Sequence, residues 1–300
     1  MKRHLEKEFI KWKEKEEHLP ILLRGARQVG KSHLVEHFGK TQFKDIAIVD
    51  FESRPEFKDA FTTRDPKEIL TRLELALRKP IKAGESLLFL DEIQQCQEAL
   101  SSLRYFKEKM PELHVIAAGS LLEFLLKEED FSFPVGRVEF LYLKPLSFME
   151  YLQAASPFVA ERLSLFDLKN PPSLLEHQEL LKWVHKYLFI GGMPAAVKES
   201  LKETSLLETQ RVHHRILQAY ESDFGKYAKH TQHKYLRIIF SKSPFTCRTS
   251  AKIYKNRRRD KSPRAETRTR AFMPCRITST HFRYHSIRFA SSCTYESRPL

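Results

Sequence analysis

Residues 25–32 read GARQVGKS, and they fit the pattern GxxxxGK[ST] between two segments that give it chemical meaning. The apolar run at residues 21–23 reads as a buried strand, and SHLVEHFGK that follows puts Leu34, Val35 and Phe38 at helical spacing. The octapeptide is therefore expected to be the turn from a strand into a helix. A loop of that kind wraps a triphosphate with successive backbone N–H groups, and the helix N-terminus adds partial positive charge where the anionic oxygens sit. The residues expected to form the cradle are Gly25, Ala26, Arg27, Gln28, Val29, Gly30, Lys31, Ser32 and His33. Lys31 would reach the β and γ oxygens and Ser32 would coordinate Mg²⁺. A glycine turn carrying a solvated lysine is the plainer alternative.

Further along, DIAIVDF (residues 45–51) reads as a second strand, and residues 66–80 carry Ile69, Leu70, Leu73, Leu75 and Leu77 mostly on one helical face. In SLLFLDEIQ, the run at residues 87–90 is too apolar for a half-exposed strand and suits a central parallel one covered on both sides. It delivers Asp91 and Glu92 at its carboxyl end, where the loop of the first strand would also lie. An aspartate there can hold Mg²⁺, usually through water, while the neighbouring glutamate polarises a water for in-line attack on the γ-phosphate. Taken alone, LLFLDE also fits an acid that caps the next helix. Together with GARQVGKS, and with a strand between the two motifs, it points to an ATPase that uses a catalytic glutamate. The two segments then stand as Walker A and Walker B motifs on an α/β fold with a five-stranded parallel sheet.

LHVIAAGS ends in Ser120, which would sit between the other strand ends and help position the attacking water; an ordinary N-cap ahead of LLEFLL fits it equally. GRVEFLYLKPLSFMEYL (residues 136–152) supplies a fifth strand and the start of a helix. Arg137 lies just before that strand, on the side a neighbouring subunit would approach in a ring. It reads either as an arginine finger acting through self-association or as a structural arginine.

In this order and spacing, GARQVGKS, LLFLDEIQ, AAGSLLEFL, VGRVEFLYLKPLSFMEYL and FIGGMPAAV resemble the prokaryotic AAA-type ATPases of the AAA+ superfamily in the AAA_14/DUF4143 family. The resemblance covers roughly residues 1–240. It implies an ATPase core, a helical lid, a winged helix and a C-terminal domain sometimes likened to nucleases. It assigns Lys31 and Ser32 to phosphate and Mg²⁺, Asp91 to the metal, Glu92 to the base, Ser120 to a sensor and Arg137 to the arginine of the GR pair. The implied activity is ATP hydrolysis; the client is not implied. The expected division is an amphipathic N-terminal helix at 1–19, the core at 20–155, the lid and the start of a winged helix at 156–240, and a basic tail at 241–300.

The chain of 300 residues is 41% hydrophobic and has no apolar stretch near the roughly 18 to 20 residues that a membrane span requires. The charged N-terminus lacks the apolar core of a secretory signal. Its four cysteines have no CxxC spacing, so a reducing cytoplasm is the expected setting. The net charge of +14 is concentrated at one end: residues 241–300 hold 15 Lys and Arg against 3 Asp and Glu. The same stretch has no glycine, no tryptophan and a single leucine, Leu300. Three readings compete there: a disordered basic arm, an ordered basic domain, and translation in a shifted frame. An ordered domain fits worst, because so few aliphatic side chains cannot offset the entropy of ordering. The arm would make the chain a nucleic-acid-binding regulator with a vestigial nucleotide site. The frameshift is favoured, because moving one base forward through CRTSAKIYKNRRRDK with permitted codons can give VGQVQKFTKIDAEI, which resembles the family's winged helix. On that reading the chain has lost its C-terminal domain.

Overall fold

A computed structural model describes residues 1–120, 136–167, 169, 171–202, 205–227 and 240, with backbone alone at 224–227. The chain divides into two units, Met1–Phe240 and Ser241–Leu300. The second unit lies outside the described residues, as do the expectations placed on it. So do LLEFLL and residues 228–239, which fall within the stretch expected to hold the lid and the start of a winged helix.

Five parallel strands form one sheet: β1 (Ile21–Arg24), β2 (Asp45–Asp50), β3 (Ser86–Asp91), β4 (His114–Gly119) and β5 (Glu139–Tyr142), in the order β2-β3-β4-β1-β5. Alternation along the strands builds two cores. Ile21, Leu23, Leu87, Phe89, Ile116 and Ala118 face α1 (Leu5–Glu14) and α2 (Lys31–Gln42), in one cluster with Phe9, Trp12, Val35 and Phe38. Leu22, Leu88, Leu90, Val115 and Ala117 face the other way, onto α3 (Pro66–Leu77) and α4 (Gln97–Lys109). The continuous apolar run of β3 is buried at every position because both faces are covered. On α3 the expected stripe is shorter than its leucines implied. Ile69, Leu70 and Leu73 are buried, but Leu75 is 75% exposed because it lies off the i, i+3, i+4 face.

Beyond the sheet come α5 (Phe148–Ala155), α6 (Pro157–Ser164), α7 (Leu174–Ile190), α8 (Pro194–Ser200) and α9 (Leu206–Tyr227). Helices α5 and α7 each start at a serine capping box, Ser147 with Glu150 and Ser173 with Glu176. Leu146, Tyr151, Ile190, Ala196, Val197, Val212 and Ile216 form a third core that joins α5, α7, α8 and α9. Helix α7 stops at Gly191, whose φ of 71° favours glycine, and α8 begins at Pro194. The GGMP turn is pressed against the residues before α5. The Leu146 N–H donates to the Gly192 carbonyl at 2.7 Å, and a Cβ on Gly192 would fall 2.3 Å from the Leu146 carbonyl oxygen.

Candidate functional site

The register of the sheet brings the expected residues to one edge. Arg24 pairs with Gly119 across β1 and β4, and Leu90 with Ala117 across β3 and β4. The loop after β1, the acids ending β3 and Ser120 after β4 therefore share the carboxyl edge of three adjacent strands. This is the edge where open α/β sheets place ligands.

Two glycines shape the loop. Gly25 has φ of 155°, and a Cβ there would lie 2.4 Å from the Leu143 carbonyl oxygen. Gly30 is left-handed, with φ of 93°, and leads directly into α2, so the helix opens at Lys31 with its first N–H groups free of intrahelical partners. Lys31 is 6% exposed, and its Nζ donates to the carbonyls of Gly25 and Ala26, each at 3.1 Å. Burial pushes its pKa down, against the pull of Glu92 and Asp91. Across the site Asp91 is 8% exposed, and its pKa is pushed up to about 6. Burial is the main cause; the adjacent Ser32 hydroxyl opposes it, and Glu92 adds repulsion. The Glu92 N–H donates to Asp91 Oδ1 at 3.0 Å. A buried ammonium, a hydroxyl and two carboxylates thus converge at a helix N-terminus.

Arg27 reaches toward α9, while its charge still acts on Lys31 and feels Glu92. Its guanidinium pairs with Asp223 on α9 and lies 3.8 Å from Glu52, and the Asp223 hydrogen bond pushes its pKa up. The Tyr220 hydroxyl donates to the Arg27 carbonyl at 2.8 Å, so α9 grips the loop at two points. Pro194 at the start of α8 is a further neighbour, 3.7 Å from where a Cβ on Gly30 would stand. On the other side Arg3 is buried. It donates to the Val29 carbonyl at 3.2 Å, to the Lys144 carbonyl and to Glu150 at 3.1 Å.

Ser120 stands at the end of β4, between the loop and the acids. Arg137 does not join the group. It precedes β5 at the amino edge of the sheet, where Glu139 registers with Ile21, and it lies 3.5 Å from Glu108 near the end of α4. The four residues of β5 alone separate it from the carboxyl edge by about 13 Å. Sequence reading missed Arg3, Glu150, Tyr220 and Asp223 as parts of the site. Only Glu150 carried a signal, the S-x-x-E box with Ser147.

Residues 17–152, which hold the whole sheet, match the family AAA_14, described as an AAA domain. Residues 181–268 match DUF8612, a domain of unknown function, and that match crosses position 241. An uncharacterised protein of Methanocaldococcus jannaschii is 25% identical over 200 residues, which are 66% of this chain and 39% of that protein. The chain thus spans about two-fifths of the length of that curated relative. Among solved structures, a Walker-type ATPase of Pyrococcus abyssi is 18% identical, with a TM-score of 0.44 over 82% of this chain and 77% of the other. AMPPCP-bound DnaA from Aquifex aeolicus is 14% identical, with a TM-score of 0.38 over 87% of this chain and 82% of the other.

Proposed function

We propose that the protein binds ATP with Mg²⁺ and hydrolyses it at the edge shared by β1, β3 and β4, with GARQVGKS acting as Walker A and LLFLDE as Walker B. The observation that carries this reading is the burial of Lys31 at a helix N-terminus opposite the Ser32–Asp91 contact. A buried lysine is costly without an anion, and the loop's N–H groups and Lys31 are the donors that phosphate oxygens need.

Among the described residues no cluster of three or more His, Cys, Asp or Glu could cage a metal. Mg²⁺ does not need such a cluster, since it is held by one or two protein oxygens, substrate phosphates and water. The Ser32 hydroxyl and the Asp91 carboxylate supply hard oxygen donors of that kind, and a cation there would offset the cost of burying the ionised Asp91 carboxylate. Mg²⁺ held by Ser32 and Asp91 would supply positive charge to offset that of the phosphates. Lys31 holds the terminal phosphates, Glu92 orients the attacking water and takes its proton, and Ser120 helps align that water. Arg137, on the far edge, reaches a nucleotide only on a neighbouring copy, so its role as an arginine finger is one of self-association. Tyr220 and Asp223 on α9 place the helical region where it feels the state of the loop.

Replacing Lys31 with Ala should remove ATP binding, measured by fluorescent-nucleotide titration. Glu92→Gln should keep binding and lower turnover by about a hundredfold or more, as expected for loss of a general base. Equal hydrolysis by both variants and the unaltered protein would overturn the assignment.

A further inference from the structure

Gln94 lies two residues beyond the proposed base, and the roles assigned above leave it unused. We propose that Gln94 is the positioning residue for Glu92, holding one carboxylate oxygen so that the other is presented to the attacking water; this rests on reading Glu92 as the base.

Glu92 has φ of 48° and ψ of 44°, a left-handed conformation that is unusual for a residue with a side chain and that concentrates at functional positions. It carries the chain from β3 into a short 3₁₀ turn, Ile93–Gln95. That turn is fixed on both sides. Ile93 is wholly buried and Cys96 nearly so, the Gln95 N–H donates to the Glu92 carbonyl at 2.9 Å, and the Cys96 N–H to the Ile93 carbonyl at 3.0 Å. Between these anchors the Gln94 side chain turns back, and its Nε2 donates to Glu92 Oε2.

The orientation of the carboxamide follows from chemistry. An ionised carboxylate only accepts hydrogen bonds, so the NH₂ end must face it, and the reverse orientation would oppose two acceptors. The consequence falls on the other end: Gln94 Oε1 is buried and has no partner among the described residues. An unmatched buried acceptor opposes folding, and an apolar side chain of the same length would avoid it. The glutamine is therefore explained by its donor. Glu92 is partly exposed and sits on a turn, where three rotatable bonds would otherwise let its carboxylate wander. Since a displacement of about 1 Å in an attacking geometry can cost about a hundredfold in rate, fixing Oε2 is a catalytic requirement rather than a packing detail.

The test uses the full chain with ATP and Mg²⁺. Gln94→Met keeps length and neutrality and removes both the donor and the unmatched acceptor. Turnover should fall about tenfold to a hundredfold, the range seen when a supporting hydrogen bond is removed, while KM and the ATP-induced rise in melting temperature stay unchanged. Gln94→Glu, similar in shape but with an acceptor where the donor was, should fall at least as far and serves if the methionine variant folds poorly. In the Glu92→Gln background, Gln94→Met should lower turnover no further, because its effect passes through Glu92. Full turnover in both Gln94 variants, or the same proportional loss in both backgrounds, would overturn the inference while Glu92 stood as the base. Turnover indifferent to Glu92→Gln would overturn the reading of Glu92 and the inference with it.

Discussion

Gly25 shows how a single hydrogen atom sets the shape of the loop after β1. With φ of 155° and the Leu143 carbonyl oxygen 2.4 Å from any Cβ, the position admits no side chain unless the strand behind it moves. The Leu143 N–H also donates to the Arg24 carbonyl at 2.7 Å, so that strand end is itself fixed to β1. Gly25→Ala should therefore destabilise the fold by about 1–3 kcal/mol, the usual cost of overpacking, and weaken ATP binding as well. Urea unfolding and nucleotide titration read the two effects; a variant as stable as the unaltered protein would show that the loop relaxes freely. The neighbouring Arg27 teaches a different lesson. Its place in GARQVGKS makes it part of the expected cradle, which backbone N–H groups form, and its guanidinium is left to pair with Asp223 and to approach Glu52. Motif spacing fixes where a residue stands on the loop, and the partner that turns its side chain lies 196 residues away. Gln94 is hidden for a related reason, since its role depends on the left-handed backbone of Glu92, which no spacing reveals.

Strands β1 to β4 were legible as largely apolar runs, whereas β5 is half-exposed at the sheet edge, and the order β2-β3-β4-β1-β5 rests on pairings between distant segments. The lid was legible in part. Glycines mark the break between α7 and α8, but the docking of that turn on Leu146 and the grip of α9 on the loop are contacts between distant segments with no local periodicity. The junction between α1 and the sheet is another such contact. His18 and His114 stack at 3.8 Å, with Trp12 and Phe43 packed edge-on around His114. Burial, followed by repulsion from His18 and, more weakly, Lys13, pushes the His114 pKa down to about 4, and burial also lowers that of His18, with Lys107 adding repulsion. Unfolded histidine titrates near 6.5, so between about pH 6.5 and 4 the unfolded chain binds more protons than the folded one. The stability contributed by the neutral pair is complete above pH 6.5 and is lost as the pH falls toward 4. His114→Phe should flatten this part of the stability curve measured by urea unfolding at successive pH values. An unchanged acid slope would place the titrating groups elsewhere.

At the scale of the whole molecule, chemistry and charge are divided between different stretches of chain. Every residue invoked for ATP lies within Met1–Phe240, which has a net charge of only +2, while residues 241–300 carry +12. The division does not follow the DUF8612 match, which continues to residue 268 and includes NRRRDKSPR at residues 256–264. Charge of that density attracts nucleic acid by releasing counterions, an effect set by the number of phosphates neutralised and reported by salt dependence. Nucleotide binding instead stabilises the folded state by mass action, about 2.7 kcal/mol at a hundredfold excess over Kd. The two properties should therefore separate on removal of residues 241–300. The ATP-induced rise in melting temperature should persist at its full size, while affinity for single-stranded DNA falls and its dependence on salt flattens. If the thermal response to ATP disappeared with the tail, residues beyond 240 would have to take part in holding the site together, and the DUF8612 match across position 241 would mark that continuation. If DNA affinity and its salt slope were unchanged, the basic residues would contribute no electrostatic surface, and any binding would have to come from residues 1–240, whose charges nearly cancel.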